Sequence, residues 1–508
     1  MSQVIENVES VCPECFKGEE INKIPAQIVE EDGKIWIEKK CPEHGSFKSV
    51  VFADSKLYKK WEKYGEAGEG PENVKPLPFS ETQLYDKHKS QSVLTNVFVT
   101  NRCNLRCSYC FANSGAEGFV YEPSLEELEE MMRQVREEKP VPSKAVQITG
   151  GEPTIRNDLL DIVEMAVDMG FRHVQVNTNG IKLAESGEYC QELRDAGVNT
   201  IYMSFDGLTK ESNPWIEQNK KAIENLRKAG LGVVLVPTVI KDMNLDQLGD
   251  IINYAKENLD VVRGVNFQPV SFTGRITNIT EEDRESGRVD YATMIKQIEK
   301  DLDGQIGEED WYPVPFVYPI SKLVETVKGE RQVEFTPSPK CGGATYAFVD
   351  GDELVPVTDF VGVEGLIELI EKESEKSGPM KKIRTGISLM RKVSDYIDEE
   401  KSPEGVDIKG LIVDAIRGGD YNSLGDFHKK SLFLGSMWFQ DAWNLNMDRL
   451  SRCVIHYATP EGIVPFCTYN GLNVGQKIRE KHSIPVDEWE EKTGKEMRDD
   501  LWDGSPIS

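Results

Sequence analysis

What the chain lacks narrows it first. No stretch of its 508 residues approaches the ~18 to 20 consecutive apolar residues of a membrane span. The opening MSQVIENVES carries no targeting pattern, so a cytoplasmic protein is expected. Positive charge is in deficit: 60 Lys and Arg stand against 87 Asp and Glu, a formal charge of −27. Such a chain repels phosphate backbones, which excludes a nucleic-acid partner held by general electrostatics and leaves the acidic excess as a solvated surface. Cysteine is sparse, ten residues in all, and in a long chain of this kind thiols are expected to bind metal rather than pair as disulfides. What is present, 39% hydrophobic residues over a length too great for one ordinary core, predicts a globular protein of two or three domains.

The cysteines fall in three groups with one left over. Cys103, Cys107 and Cys110 in CNLRCSYC are spaced C-x3-C-x2-C, three thiols in one turn-sized loop, and thiolates are the ligands of iron–sulfur clusters. A cluster of four irons held by three ligands leaves one iron free for a small molecule. A zinc knuckle or three unrelated thiols are the blander accounts. Near the N-terminus, CPEC (Cys12, Cys15) and CPEHG (Cys41, His44) flank two β-like stretches with an Asp32-Gly33 turn between them. These four ligands suit tetrahedral zinc or a rubredoxin-like iron, with His44 the least secure. A module this small buries little core, so its metal is expected to act as a staple. Cys341 (PKCGG), Cys453 and Cys467 (CVIHYATPEGIVPFC) form the third group, and the lone Cys190 sits on the apolar face of a helix.

Between about 93 and 280, strand-like and helix-like segments alternate. SVLTNVFVT, AVQITG, HVQVNTNG, TIYMSFDG, LGVVLVPTVI and GVNFQPV are separated by amphipathic helices, the first capped by Ser124 with Glu127 completing a capping box. Such alternation implies parallel strands joined by right-handed crossovers. No further unit of this kind is evident after about 280. The cysteine loop closes the first strand and ITGGEP closes the second, with Gly150 and Gly151 permitting close backbone approach and Glu152 able to accept from an ammonium group.

Together these motifs resemble the radical S-adenosylmethionine (SAM) superfamily. The resemblance implies an α/β fold built on a partial (β/α)6 TIM barrel, with a small N-terminal metal-binding module and a C-terminal auxiliary-cluster domain. The expected boundaries are a metal module at 1–60, a linker at 61–92, the barrel at 93–280, and an auxiliary-cluster and substrate domain at 281–508. It further implies SAM and a [4Fe-4S] cluster on Cys103, Cys107 and Cys110, the SAM amino group on the Gly150-Gly151-Glu152 motif, and a low-potential electron donor. Asn177, Thr178, Ser204 and Asp206 lie at strand ends on the barrel face that holds ligands. Ser204 and Asp206 are candidate contacts for the SAM carboxylate or ribose; plain turn chemistry is the alternative. Tyr109 and Phe111 are placed near cluster and adenine, Asn266 and Gln268 towards SAM or substrate. The third cysteine group resembles an auxiliary [4Fe-4S] site whose fourth ligand is His456, an oxygen donor, substrate or nothing.

Over nearly its whole length the chain resembles the archaeal tetraether lipid synthase-like branch, some relatives of which are pterin-methylating enzymes. That implies C–C bond formation on an isoprenoid lipid, or methylation of a pterin precursor; a non-catalytic electron carrier is the non-enzymatic alternative. A long apolar tunnel would favour the lipid, a compact polar pocket with aromatic rings the pterin. A basic amphipathic helix in KSGPMKKIRTGISLMRKV, with Met380, Ile383, Ile387 and Met390 on one face, raises a peripheral membrane contact; a core-packed helix is the alternative.

Overall fold

Six strands, Leu94–Phe98, Ala145–Thr149, His173–Thr178, Thr200–Ser204, Gly232–Val236 and Val262–Pro269, lie parallel and side by side in chain order in the computed structural model. The structure describes residues 2–17, 21–77, 83–276, 280–376, 381–404, 406–410 and 430–504. Five crossover helices, Leu125–Arg136, Leu159–Asp168, Gly187–Ala196, Ile216–Ala229 and Leu248–Glu257, join the strands. The first begins at the expected capping box, with Ser124 Oγ accepting from the Glu127 N–H and the Glu127 carboxylate accepting from the Ser124 N–H. Its Leu128, Met131, Met132 and Val135 are buried against the sheet, each contributing roughly 1.5–3 kcal/mol by removal from water. Cys190 is fully buried in the same core, as expected.

Strands covered on both faces are ordinarily near-continuous apolar runs. Here they alternate instead. Val97, Ile148, Val176, Met203 and Val265 pack in the hydrophobic core, while Asn96, Gln147 and Asn177 line the lumen and Gln175 bonds to Gln147. Polar side chains from several strands therefore reach a lumen that apolar ones such as Leu94 and Val236 also line.

The sheet extends beyond the six expected strands. Ser431–Met437 pairs parallel with the sixth strand and Ile455–Thr459 parallel with the first, one at each edge. No further strand-and-helix unit follows about 280, as expected, but two lone strands from that region join the sheet. Each is a strand without a crossover helix after it, so the alternation that marks the other six is missing. Gly342–Asp350 adds antiparallel to the one edge, and Gly462–Pro465 forms a hairpin with the other. The outer parallel strands do not pair with each other among the described residues, and Cys341 lines the cavity that Ser436 and Tyr457 of these strands also line.

The N-terminal strands Gln3–Val11, Lys23–Glu31, Lys34–Cys41 and Gly45–Phe52 form a separate antiparallel sheet. Asp32 (φ 51°) and Gly33 (φ 75°) make the tight turn, both with the positive φ that a two-residue hairpin of this kind requires. The sheet is held to the barrel through Phe52, Trp61 and Tyr291, whose rings meet at centroid distances of 5.4–6.0 Å. The segment expected as a linker is a strap within its described part: Leu84, His88, Ser90, Gln91 and Ser92 are all buried.

The basic helix forms at Lys381–Lys392. Thr385 and Leu389 are its buried residues, Ile387 is exposed, and Lys392 and Ser388 bond to the buried Glu373. Met380 lies outside the described residues, as does the side chain of Ile383. Among the described residues no helix is long and apolar enough to cross a membrane.

Candidate functional site

The loop after the first strand and the ends of the next three enclose a cavity of about 160 Å3. Cys103, Cys107, Cys110, Tyr109, Phe111, Gly150, Gly151, Glu152, Asn177, Thr178, Ser204 and Asp206 all line it. Thus twelve residues singled out in the sequence converge on one space. The three thiols carry no disulfide, and their ligand atoms do not crowd within the 4.8 Å that marks the N-terminal ligand group. Three half-exposed sulfurs spread around one cavity fit a multi-iron cluster better than a single ion. Burial pushes the Cys107 thiol up to about 12, followed by the charges of Cys110 and Asp206, so the bare loop resists carrying three thiolates. A cationic cluster would relieve that repulsion.

The glycine pair has a second role beyond ligand approach. A Cβ on Gly150 would run into the Thr100 carbonyl and one on Gly151 into the Arg102 carbonyl, because both glycines lie flat against the start of the cysteine loop. Gly151 N–H donates to Thr100 O (2.7 Å) and Glu152 N–H to Arg102 O (2.9 Å). The Glu152 side chain is 1% exposed and already accepts from Thr154 N (3.1 Å) and Oγ1 (2.6 Å), Thr178 Oγ1 (2.8 Å) and Asn179 N (2.8 Å). It ties the ends of the second and third strands together as well as facing the cavity.

Asp206, at the end of the fourth strand, accepts from the Tyr109 hydroxyl (2.8 Å) and the Thr238 N–H (2.7 Å). Burial pushes its carboxyl up to about 6 against the pull of those two bonds. Sequence reasoning missed Arg275. Its guanidinium donates to Cys107 O (2.7 Å), Asn113 Oδ1 (3.1 Å) and Ser114 O, clamping the cysteine loop from the far side. A signal existed: SFTGR follows the sixth strand, and Gly274, at φ 64°, lies where a Cβ would strike the Cys110 carbonyl.

A second cavity, of about 390 Å3, adjoins the first and shares Phe111, Thr149, Asn177, Ser204 and Thr238 with it. Asn266 and Gln268 belong here rather than beside the cysteine loop. Asn96, Gln147, Tyr202 and Ser436 add polar groups, Phe433, Tyr457 and Phe466 add rings, and Cys341 reaches the far wall. Asn96 and Gln147 were not foreseen. The period-2 polar positions in NVF, VQIT and VQVNT were the available signal, since such positions point into the barrel.

The C-terminal thiols do come together. The charges of Cys341, Cys453 and Cys467 act on one another, the Gln440 N–H donates to Cys467 Sγ (3.3 Å), and the buried Arg449 guanidinium lies beside Cys341 and Cys467. As in the central loop, the sulfurs are set further apart than the N-terminal ligand atoms, which suits a cluster. At the N-terminus, Cys12, Cys15, Cys41 and His44 converge tightly. His44 Nδ1 is 3.6 Å from Cys12 Sγ, 3.4 Å from Cys15 Sγ and 3.6 Å from Cys41 Sγ, a mononuclear geometry.

His456 is corrected as a ligand of the third cysteine group. It lies between Ile455 and Tyr457, which face the larger cavity, and strand alternation turns it the opposite way. There its Nδ1 meets Ser92 Oγ (3.0 Å), which also bonds Glu138 Oε1 (2.5 Å), and its ring packs edge-on against His88. Burial pushes the Glu138 carboxyl up to about 7 from an ordinary 4.5. A folded-state pKa raised in this way contributes stability that is complete below the unfolded value and is lost as pH rises through the folded one. Between pH ~5 and ~8 the wild type should therefore lose about 2 kcal/mol through this group, and Glu138→Gln should not. Urea midpoints across that range test this; a difference between variant and wild type that does not change with pH would refute it.

Residues 97–255 match the family model of the radical SAM superfamily, and residues 4–53 match the HMPTM N-terminal zinc ribbon domain. The 7,8-dihydro-6-hydroxymethylpterin dimethyltransferase of Methanocaldococcus jannaschii is 45% identical over 498 residues, covering 94% of this chain and 96% of that protein. A probable GTP 3′,8-cyclase of Methanothermobacter marburgensis is 32% identical over 182 residues, 34% of this chain and 57% of that protein. Among solved structures, methylornithine synthase is similar with a TM-score of 0.33 at 14% identity, over 42% of this chain and 64% of that one. The relative that spans the chain is named for a pterin and not a lipid, which moves the expectation away from the tetraether branch. The three-thiol loop, the glycine-lined cavity beside it and identity over nearly the full length agree: the chain is a radical SAM enzyme, using SAM and a [4Fe-4S] cluster, and belongs to the family of the M. jannaschii pterin dimethyltransferase.

Proposed function

We propose that this enzyme transfers methyl groups to a 6-hydroxymethyl dihydropterin held in the barrel lumen. One observation carries the reading: the cysteine-loop cavity adjoins a compact space of about 390 Å3, in which amides and aromatic rings stand among aliphatic side chains such as Leu94, Val236 and Ile455, with Cys341 also on its wall. That volume suits a bicyclic heteroaromatic, whereas two long isoprenoid chains need an extended apolar tunnel. Identity of 45% with a dihydropterin dimethyltransferase supports the same substrate class.

In this reading Cys103, Cys107 and Cys110 hold the SAM cluster. Gly150, Gly151, Asn177, Thr178, Ser204 and Asp206 surround SAM, with Tyr109 fixing Asp206 and Phe111 forming the wall between the two spaces. Asn266 and Gln268 face the substrate. Cys341, Cys453 and Cys467 hold a second cluster on the opposite side, and the N-terminal four-ligand site is structural. When bound, SAM and its cluster supply the radical chemistry, and the chain contributes placement and exclusion of water.

The test is expression of the chain in a host whose own pterins are unmethylated, followed by mass spectrometry of pterins and lipids. Pterins heavier by one and two methylene units are expected, and none with Cys107→Ala. Altered lipids with unaltered pterins would sink the proposal.

A further inference from the structure

Most polar side chains inside the barrel satisfy one another, but a few do not. Asn96 Nδ2, Asn177 Oδ1 and Ser436 Oγ are buried, have no partner among the described residues, and belong to residues lining the larger cavity. Asn96 is 0% exposed and Ser436 3%.

The orientation of Asn96 is dictated by a chain of bonds across three adjacent strands. Asn96 pairs in register with Gln147, and Gln147 with Gln175. His173, kept neutral by burial, meets Gln175 Oε1 through its Nε2 (3.0 Å). Gln175 Nε2 donates to Gln147 Oε1, and Gln147 Nε2 donates to Asn96 Oδ1 (2.7 Å). Each glutamine amide thus accepts on one side and donates on the other, and the last donor, the Asn96 NH2, is left without a partner among the described residues. Asn177 is set the opposite way: its Nδ2 donates to Thr149 Oγ1 (3.4 Å), leaving its oxygen as an acceptor.

An unpaired buried donor is destabilising in the free protein, so a wall that keeps a donor, an acceptor and a hydroxyl unpaired is built for a ligand that pairs them. An isoprenoid chain offers no such atoms. A pterin does, along the edge where a ring carbonyl sits beside a ring N–H and an exocyclic amine. We propose that Asn96 and Ser436 are specificity-determining residues that read the carbonyl and amine edge of the substrate ring; this rests on the pterin reading.

The test uses the full-length, anaerobically reconstituted enzyme with SAM, titrated with 7,8-dihydro-6-hydroxymethylpterin by fluorescence, for wild type, Asn96→Leu and Ser436→Ala. Each variant should bind about tenfold more weakly, the fold-change expected for one lost hydrogen bond. Ser436→Ala, which removes only an unpaired hydroxyl, should melt no lower than wild type. It keeps the test decisive should Asn96→Leu fail to fold. A pteridine lacking the 4-oxo and 2-amino groups should bind all three proteins alike, since coupling between side chain and ring edge is then gone. Wild type binding the dihydropterin with both variants within about twofold of it would overturn this inference while the pterin reading stood. Penalties that persist with the stripped pteridine would also overturn it. Absence of dihydropterin binding by the wild type would overturn both.

Discussion

Replacing Cys107 by alanine is expected to abolish 5′-deoxyadenosine formation altogether, whereas replacing Cys467 by alanine is expected to stop product formation while SAM cleavage continues. The difference follows from position. Cys107 shares the first cavity with Gly150, Gly151 and Asp206, and its carbonyl is gripped by Arg275 at 2.7 Å. Cys467 does not line that cavity; it lies near Cys453 and near Cys341, which lines the larger one. Enzymes of this type owe accelerations of roughly 10^6-fold or more to groups the first site carries, so losing a ligand there leaves only background. Iron and sulfide content, EPR of the reduced protein and quantified 5′-deoxyadenosine check both halves. If Cys467→Ala retained its first cluster yet cleaved no SAM, the division of labour between the sites would be wrong.

Removing the N-terminal metal should cost more than the module itself. With Cys12→Ser and Cys41→Ser combined, residues 2–53 are expected to lose their sheet, because a structural ion supplies several kcal/mol to a unit with little core of its own. The disturbance should then reach the loop at 440–446. Lys39, buried in the module's third strand, donates to Ala442 O (2.6 Å), Ser10 donates to Leu445 O (2.7 Å), and Phe47 packs edge-on against Trp443. The same loop supplies the Gln440 N–H that bonds Cys467. Hydrogen exchange in strands 3–11 and 34–41 should accelerate by about a hundredfold or more, and exchange at 440–446 should rise with it. Iron at the C-terminal site should fall while iron at the central loop is kept. Unchanged exchange at 440–446 would show the module to be an independent appendage.

Much of this was legible in the chain because the signals were local. Three cysteines inside eight residues, two glycines at a strand end and a capping box each need only neighbours in sequence to be recognised. The six barrel strands were legible for a related reason, since strand and helix periodicities alternate along the chain. The two outer parallel strands were not, because neither is followed by a crossover helix. Arg275 was missed because its partners, Cys107, Asn113 and Ser114, are more than 160 residues away. His456 was misassigned because closeness to Cys453 in sequence says nothing of which face of a strand a side chain takes, and alternation sent it to Ser92 and Glu138.

The sequence by itself determined the cofactor chemistry of this protein, because the three cysteines proposed to hold the catalytic cluster sit on one short loop and no distant contact is needed to assemble them. The tertiary structure decided what surrounds the reaction. It set a small cavity of mixed polar and apolar lining beside the central cysteine loop, with Cys341 on its wall, and fixed the Asn96 amide through a chain of bonds begun at His173. Volume, orientation and unpaired polarity arise only when strands hundreds of residues apart are brought side by side, and no spacing along the chain encodes them.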